Sequence, residues 1–327
     1  MNPRHRFAET MSFGRPDRVP YFEEGLRPEV LEAWRRQGMP ADLDPAAVFP
    51  SDPREEVQPD LDPRPRPETW PASREGLADL VRRLDPDDPS RLSDDLDAVA
   101  ARAEDGRQVT MLRVHRGFFL SMGVYDWDRL HETCLLLYDD PVFVRELLEI
   151  QGRFAARVAE RVLERAPVDA AIVSEPIGGN EGPLISPRMY EELILPSYRP
   201  VLDVVARHGV RTLIFRTYAN ARLLLPAALR AGFTCLWACE VDPRVMDYRQ
   251  LRREMGPDLR LIGGIDLDAL RHGPEAIRRE VESKVPPLLE QGGYVPLADG
   301  RVREDVPWRD YLAYREMLGE MIGRYGS

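Results

Sequence analysis

The segment TLIFRTYANA, residues 212–221, combines an apolar run with side chains that can bind an anion. Its first four residues suit a β-strand covered on both faces, and Arg216 follows them directly. An arginine stays protonated and can hold a carboxylate through two parallel hydrogen bonds. Tyr218 and Asn220 lie further along the segment and can donate hydrogen bonds. The pattern predicts that this strand end binds an anionic group.

Charged and polar residues also end several other apolar runs of the chain. In a parallel barrel these ends share one face, so we expect their side chains to form one site, where carboxylates and arginines shift one another's pKa values. The residues that we expect to bind the substrate are Glu23, Glu24, His115, Arg116, Arg216, Asn220, Glu240, Asp266 and Arg301. The residues that we expect to be catalytic are Glu175, Tyr218 and Asp299.

We expect no bound metal ion, because the cysteines lack the paired spacing of a metal site and no histidine lies among the carboxylates that could hold one. Cys134, Cys235 and Cys239 do not form the paired pattern of a zinc site. If a metal ion is bound, carboxylates that suit hard cations would hold it. These would be Glu23, Glu175, Glu240 and Asp299.

Short apolar runs that read as strands alternate with longer helical patterns. The predicted strands are residues 18–24, 108–114, 169–176, 211–218, 234–241, 259–266 and 293–299. Residues 139–166 and 186–209 predict helices, which begin at the capping residues Asp140 and Ser186, each followed by proline. This alternation is typical of a parallel α/β sheet, and its number of units favours a closed (β/α)8 TIM barrel.

Residues 40–106 interrupt this alternation with a segment rich in proline and aspartate. We interpret the segment as an insertion after the first strand that forms a lid. Its apolar content is too low for a hydrophobic core of its own. We therefore expect one barrel domain over residues 1–327, with the insertion inside it.

Composition excludes several classes of protein. The net charge of −11 and the pI of about 5.2 provide no basic surface for nucleic acid or an anionic membrane. We find neither a membrane-spanning apolar stretch nor the apolar core of a signal peptide, so we expect a cytoplasmic protein. Lys284 is the only lysine and lies in a helical pattern, which leaves no other candidate for Schiff-base or P-loop chemistry.

Several motifs resemble those of the uroporphyrinogen decarboxylase superfamily. They include GPLISPRMYEELILP at 182–196, LIGGIDLDAL at 261–270 and GGYVPLADGRVREDVPW at 292–308. The resemblance implies a (β/α)8 barrel enzyme with its active cleft at the carboxyl ends of the strands. The superfamily includes decarboxylases, usually homodimers that need no cofactor. It also includes zinc-dependent methyltransferases that move a methyl group between a corrinoid protein and a thiol or tetrahydrofolate.

The sequence departs from both branches at positions that matter for chemistry. The thiol methyltransferases carry a motif resembling H-x-C-G-N, and the matching stretch here is Arg216-Thr217-Tyr218-Ala219-Asn220, without the histidine and cysteine that bind zinc. True uroporphyrinogen decarboxylases carry an arginine-rich segment where this chain has PYFEEGLRPEV, residues 20–30. Many members have Asp-His where this chain has Asp299-Gly300.

Two classes of function remain open after these comparisons. The first is a cofactor-independent decarboxylase acting on a small carboxylated molecule. Arg216 and Arg301 would hold the anion, and Glu175 or Asp299 would transfer the proton with help from Tyr218.

The second class is a methyltransferase with an altered or absent zinc site and a corrinoid protein as partner. Its substrate could be cationic and pair with Glu23 and Glu24. The resemblance to the decarboxylases implies a homodimer. A barrel that only binds a ligand is the least favoured alternative, because unsatisfied charges at several strand ends would be unfavourable in a site without function.

Overall fold

A computed structural model describes residues 1–325 of the chain. Its strands are β1 (Arg54–Val57), β2 (Val109–His115), β3 (Ala170–Glu175), β4 (Thr212–Tyr218), β5 (Cys235–Cys239), β6 (Arg260–Ile265) and β7 (Tyr294–Ala298). Its helices are α1 (Pro3–Met11), α2 (Pro28–Arg36), α3 (Pro45–Val48), α4 (Leu77–Arg83), α5 (Leu96–Glu104), α6 (Phe118–Ser121), α7 (Trp127–Asp139), α8 (Pro141–Leu163), α9 (Pro187–Met189), α10 (Leu195–Arg207), α11 (Leu225–Ala231), α12 (Tyr248–Met255), α13 (Pro274–Gln291) and α14 (Trp308–Arg324). The fold is therefore α/β.

The chain divides into two units. The first unit comprises Met1–Arg54, Gly106–Val109 and the residues from Cys235 onward. The second unit comprises Glu55–Asp105 and Thr110–Thr234. Each unit contains parallel strands that follow one another in sequence order, with helices between them.

In the second unit the register of the strands decides which side chains share a face. Ser174 on β3 lies opposite Arg216 on β4, and Glu175 lies opposite Thr217. Successive residues of a strand point to opposite faces. Ser174 and Arg216 therefore project from one face of this sheet, and Glu175 and Thr217 project from the other. The pairing of β2 with β3 shifts between Arg113 and His115, which marks an irregularity just before β2 ends.

Helix α9 continues into α10 through a π-helical segment, Tyr190–Ile194. The N–H of Leu195 donates to the carbonyl of Tyr190, five residues earlier, as in a π-helix. Pro196 and Pro200 follow, and neither has an N–H with which to continue a regular α-helical ladder. These prolines explain why the helix departs from regular geometry near its start.

In the first unit β5, β6 and β7 are parallel and almost completely buried. The single lysine of the sequence, Lys284, lies on α13 and pairs with Glu280 one turn earlier. Its ammonium is thus part of a structural ion pair, consistent with the helical position that the sequence predicts. None of the helices within residues 1–325 combines the length and apolar character needed to cross a membrane.

Most of the predicted elements are confirmed. The strands predicted from residue 108 onward correspond to β2–β7, and the caps are observed, because Asp140 accepts a hydrogen bond from the Phe143 N–H at 2.9 Å and Ser186 from the Met189 N–H at 3.2 Å. Helix α8 and the α9–α10 helix lie where the two long helical patterns predict them.

The predicted first strand, residues 18–24, is wrong. Residues outside the strands bind its backbone groups. The Asp52 side chain accepts from the Tyr21 N–H at 2.8 Å, and the Asp52 N–H donates to the Tyr21 carbonyl at 2.8 Å. Arg315 donates to the Phe22 carbonyl at 2.9 Å. The first strand is instead β1, which lies inside the segment 40–106. That segment is therefore not an insertion after the first strand. Within residues 1–325 the strands number seven rather than the eight of the predicted barrel.

Candidate functional site

A cavity of about 280 Å³ lies in the second unit, where β1, β2 and β3 end. One wall is the segment 58–62, which follows β1 directly. Arg113 and Arg116 approach from β2 and the turn after it, and Ser174 from the end of β3. Leu120 and Tyr125 complete the lining. The cavity therefore occupies the position in which parallel α/β proteins place their ligands, with two guanidinium groups in its wall.

Arg116 is the more strongly held of these two arginines. It is 8% exposed, and its Nη2 lies 2.8 Å from Oδ1 of Asp62. It also donates to the hydroxyl of Tyr125 and, at 3.5 Å, to the Leu61 carbonyl. These partners fix the guanidinium at the cavity wall, where a carboxylate ligand could bind it in place of, or beside, Asp62.

Arg113 belongs to a cluster with Glu56 and Arg216, which we name the β1–β4 ion cluster. Arg113 donates to Oε1 of Glu56 from Nε at 3.2 Å and from Nη2 at 3.0 Å. Arg216 grips the same carboxylate with Nη1 at 3.2 Å and Nη2 at 2.5 Å. The carboxylate that Arg216 binds in this structure is thus one of the protein's own, and Arg216 is 7% exposed.

The turn that carries Arg116, residues 115–118, is held by two buried side chains. Nδ1 of His115 accepts from the Gly117 N–H at 3.0 Å. Oε1 of Glu175 accepts from the Phe118 N–H at 2.9 Å. Gly117 has φ +85°, and a Cβ there would lie 2.2 Å from the Ser174 carbonyl oxygen. The turn therefore requires glycine, and His115 and Glu175 set the position of Arg116.

Glu175 is completely buried, with a hydrogen bond on each oxygen. Its second oxygen accepts from the hydroxyl of Tyr198 on α10. Burial raises the pKa of Glu175 to about 7, against the two hydrogen bonds that lower it. Burial, with a smaller effect of Arg116, lowers the pKa of His115 to about 3, so the imidazole is neutral. Glu175 projects from the face of β3 opposite to Ser174, whose side chain lines the cavity.

Tyr218 and Asn220 lie at the end of β4 and are half-buried. The N–H of Asn220 donates to the Gly179 carbonyl at 3.0 Å, and its side-chain oxygen accepts from the Arg222 N–H at 3.3 Å. Asn220 thereby shapes the loop after β4. Neither residue is among the side chains that line the cavity described above.

The predicted site residues of the first unit mostly hold partners within that unit. Glu23 accepts from the Tyr311 hydroxyl at 2.9 Å and from Arg315 at 2.9 Å, and Glu24 lies 3.5 Å from Arg54. The remaining three belong to strand ends. Asp266 caps the 3₁₀ turn Leu267–Arg271, Glu240 is exposed and pairs with Arg303 at 2.7 Å, and Arg301 is exposed.

Asp299 follows β7 and holds the loops after two neighbouring strands. Oδ1 accepts from the Leu267 N–H at 3.1 Å, and Oδ2 accepts from the Val241 N–H at 3.2 Å. The side chain is 3% exposed. Burial raises the pKa of Asp299 to about 7, even though both N–H groups favour the ionised form.

The donor atoms do not fit the zinc site of the methyltransferase branch. Arg216 stands at the expected histidine position and holds Glu56. An arginine remains protonated and cannot ligate a metal ion. Within residues 1–325, no three His, Cys, Asp or Glu side chains are grouped in a way that could hold one.

Sequence reasoning missed several residues of this region: Glu56, Arg113, Tyr125 and Tyr198. A signal existed for Arg113, because an arginine inside the apolar run of β2 is as anomalous as Arg216 in β4. Glu56 lies in a mostly charged segment. No apolar pattern therefore predicts a strand there, or that Glu56 faces two arginines.

The parallel strands, with a charged cavity at their carboxyl ends, define the chain as an α/β protein whose candidate site lies at the ends of its strands. Residues 77–295 match the sequence model of the uroporphyrinogen decarboxylase (URO-D) family, which covers more than half of the chain. The chain belongs to this family. No curated protein matches the sequence significantly. Arg113, Arg116 and Ser174 lie inside the matched range, whereas Glu56 and the cavity wall 58–62 lie outside it.

Proposed function

We propose that this protein is a decarboxylase that acts on a small carboxylated molecule in the cavity of the second unit. The observation that carries the proposal is the pair of guanidinium groups, Arg113 and Arg116, in the wall of a strand-end cavity of a URO-D family chain. Guanidinium groups fixed by other side chains bind carboxylates with defined geometry. The volume of about 280 Å³ suits a small ligand rather than a tetrapyrrole.

The reaction breaks the carbon–carbon bond between the substrate and one carboxylate. Carbon dioxide leaves, and the electron pair of the broken bond stays on the substrate carbon, where an electron-withdrawing group of the substrate delocalises it. A proton then adds to that carbon. Arg116 would hold a second carboxylate that is not lost, so that binding energy orients the bond that breaks. Ser174 and Tyr125 supply the hydroxyls of the cavity wall for proton relay from water.

Arg216, Glu175 and His115 support the site through other residues, instead of the direct roles that the sequence predicts for them. Arg216 supports the site through Glu56, which binds Arg216 and Arg113 together. Glu175 and His115 act through the turn that carries Arg116. The catalytic roles of Tyr218 and Asp299 and the binding role of Arg301 stay predictions.

Two broader expectations belong to the same proposal. The first is that residues 1–327 form one closed (β/α)8 barrel domain in which part of 40–106 acts as a lid. The second is that the protein is a homodimer. The parallel, sequence-ordered strands of each unit and the family membership support the first expectation.

Binding of dicarboxylates and tricarboxylates, such as succinate and citrate, measured by titration calorimetry, tests the proposal. We expect Arg116→Gln to weaken binding by about tenfold or more, because a charge-assisted pair contributes roughly 1.5–3 kcal/mol. Arg216→Gln should weaken it less, since Arg216 acts through Glu56. The matched control is Arg188→Gln, because the Arg188 side chain is 84% exposed and pairs with Glu192 one helical turn later.

Unchanged binding in Arg116→Gln, or no binding of any carboxylate to the unaltered protein, would contradict the proposal. If binding of a carboxylate does depend on Arg116, release of carbon dioxide from that bound carboxylate would establish the reaction. Zinc near one equivalent per purified chain, with methyl transfer to a thiol, would instead support the methyltransferase alternative.

A further inference from the structure

A second cavity of about 280 Å³ adjoins the proposed site in the second unit. Residues 66–70 form one side, and the segment that leads into α7, with the first turns of α7, forms the other. Tyr125 lines both this cavity and the one that contains Arg113 and Arg116. One side chain is therefore shared by two spaces of similar size.

Contacts on several sides hold Tyr125 in this position. Its hydroxyl accepts a hydrogen bond from Arg116 of the proposed site. The guanidinium of Arg66 lies 3.5 Å from the centroid of its ring, and the ring of Trp70 meets it edge-on at 6.4 Å. Tyr125 is nevertheless 42% exposed, so its ring is a boundary formed by a side chain at the surface and not a part of the packed core.

The two cavities differ in the charge of their walls. The second cavity is lined by more acidic than basic side chains, namely Glu68, Asp126, Asp128 and Glu132 against Arg66 and Arg129. Arg129 already pairs with Glu132 at 3.1 Å and donates to two backbone carbonyls. A ligand end that reaches this cavity therefore meets a wall that favours a cationic group over a carboxylate.

We propose that Tyr125 sets the length of ligand that the site accepts, by closing off a distal subsite suited to a cationic end group. The inference rests on the proposed function, because it takes the cavity of Arg113 and Arg116 as the place where the carboxylate binds. With Tyr125 present, the site accepts short carboxylates. With the ring removed, the two cavities form one elongated site. At one end Arg113 and Arg116 are balanced by Asp60 and Asp62, and at the other end acidic side chains outnumber basic ones.

Calorimetric titration with two series of ligands tests this inference. The first series is 4-aminobutanoate, 6-aminohexanoate and 8-aminooctanoate, and the second is succinate, adipate and suberate. We expect the unaltered protein and Tyr125→Phe to prefer the shortest member of each series. Tyr125→Ala should bind 8-aminooctanoate about tenfold more tightly than the unaltered protein does, because further methylenes are buried and the amine meets the acidic wall. Suberate should gain less.

The outcomes separate this inference from the proposed function. If succinate binding depends on Arg116 but Tyr125→Ala keeps the length preference of the unaltered protein, the inference is wrong and the proposed function stands. Equal affinity of the unaltered protein for short and long ligands also overturns it. If no ligand binds any variant, both are overturned. Circular dichroism and thermal unfolding establish that Tyr125→Ala is folded, and Tyr125→Phe separates loss of the ring from loss of the hydroxyl.

Discussion

Glu175 in the second unit and Asp299 in the first unit are both buried carboxyl groups at strand ends, with pKa values raised to about 7. Each fixes the loop after a neighbouring strand by accepting a backbone N–H. They differ in the second partner, which is the Tyr198 hydroxyl for Glu175 and another backbone N–H for Asp299. A hydroxyl can donate or accept, whereas an N–H can only donate.

This difference determines which hydrogen bonds each carboxyl group keeps when it is protonated. When Glu175 takes up a proton, Tyr198 can accept a hydrogen bond from it, so both partners are kept. When Asp299 takes up a proton, that proton faces two donors, and one contact is lost. The second unit thus tolerates a change of charge at its strand-end carboxyl group, and the first unit does not.

The largest effect should come from breaking the turn that Glu175 holds. Gly117→Ala adds a Cβ 2.2 Å from the Ser174 carbonyl at φ +85°. We expect the free energy of unfolding to fall by about 3 kcal/mol or more, because clash and backbone strain add. Urea unfolding measures the change. The control is Gly209→Ala, at φ +76° with open space around it, which should cost only about 1 kcal/mol. Equal effects of the two substitutions would show that the turn is not tightly packed.

The next effect is the pH dependence that Glu175 confers. Its pKa is raised from the usual 4.5 to about 7, so between these values the folded protein binds more protons than the unfolded chain. Stability contributed by protonated Glu175 is therefore present below pH 4.5 and is lost as the pH rises through 7. The free energy of unfolding of the unaltered protein should therefore fall by on the order of 3 kcal/mol over this range, and Glu175→Gln should not show this fall.

Urea unfolding of Glu175→Gln and the unaltered protein at pH 5 and pH 8 measures this difference. His115, with its pKa lowered to about 3, contributes a slope of opposite sign between pH 3 and its usual 6.5, where stability rises with pH. Because His115 is present in both proteins, its contribution cancels in the comparison. Parallel pH profiles would show that Glu175 does not titrate in this range.

A third prediction compares the two neutral amides directly. Glu175→Gln can accept from the Phe118 N–H with its oxygen and donate to Tyr198 with its nitrogen. Asp299→Asn must place an amide N–H against the N–H of Leu267 or Val241. We expect Asp299→Asn to be less stable than Glu175→Gln by about 2 kcal/mol, since one buried donor loses its acceptor. Thermal unfolding at one pH ranks the two variants, and the reverse order would contradict the distinction between them.

The smallest effect should follow from removing one hydroxyl. Tyr198→Phe deletes the hydrogen bond that lowers the pKa of Glu175, so the pKa should rise further, with a loss of stability of about 1 kcal/mol. The midpoint of the pH-dependent stability profile reports the change. Tyr190→Phe is the control, because the buried Tyr190 hydroxyl has no hydrogen-bond partner among residues 1–325. A similar shift in both variants would show that loss of the Tyr198 hydrogen bond is not its cause.

The sequence predicted six strands well because each is an apolar run that lies between helical patterns. It failed at residues 18–24, where apolar residues are equally dense but side chains bind the backbone. It also failed at β1, whose residues Arg54 to Val57 are mostly charged. Burial alone does not distinguish a strand from an extended segment, because the partner of the backbone lies far away in sequence.

The candidate site was predicted as a list of residues, without the contacts that hold them. Arg116 lines the cavity and Arg216 binds a carboxylate of the protein itself, so binding of a substrate by either residue stays a prediction. That the carboxylate is Glu56 could not be read from the sequence, because 160 positions separate the two residues. Similarly, the alternation along β3 shows that Glu175 and Ser174 face opposite sides, but not which side holds the cavity.

The π-helical segment Tyr190–Ile194 also has a consequence for the phase of its helix. Eight residues of regular α-helix would turn Tyr190 and Tyr198 about 80° apart. The additional residue of the π segment reduces this angle to roughly 20°, so both phenol rings point in nearly the same direction. Both are fully buried, and burial, followed by the charge of Glu175, raises the pKa of each. The local widening of one helix thus brings two buried tyrosines to one side of the helix, where only the Tyr198 hydroxyl, among residues 1–325, donates to Glu175.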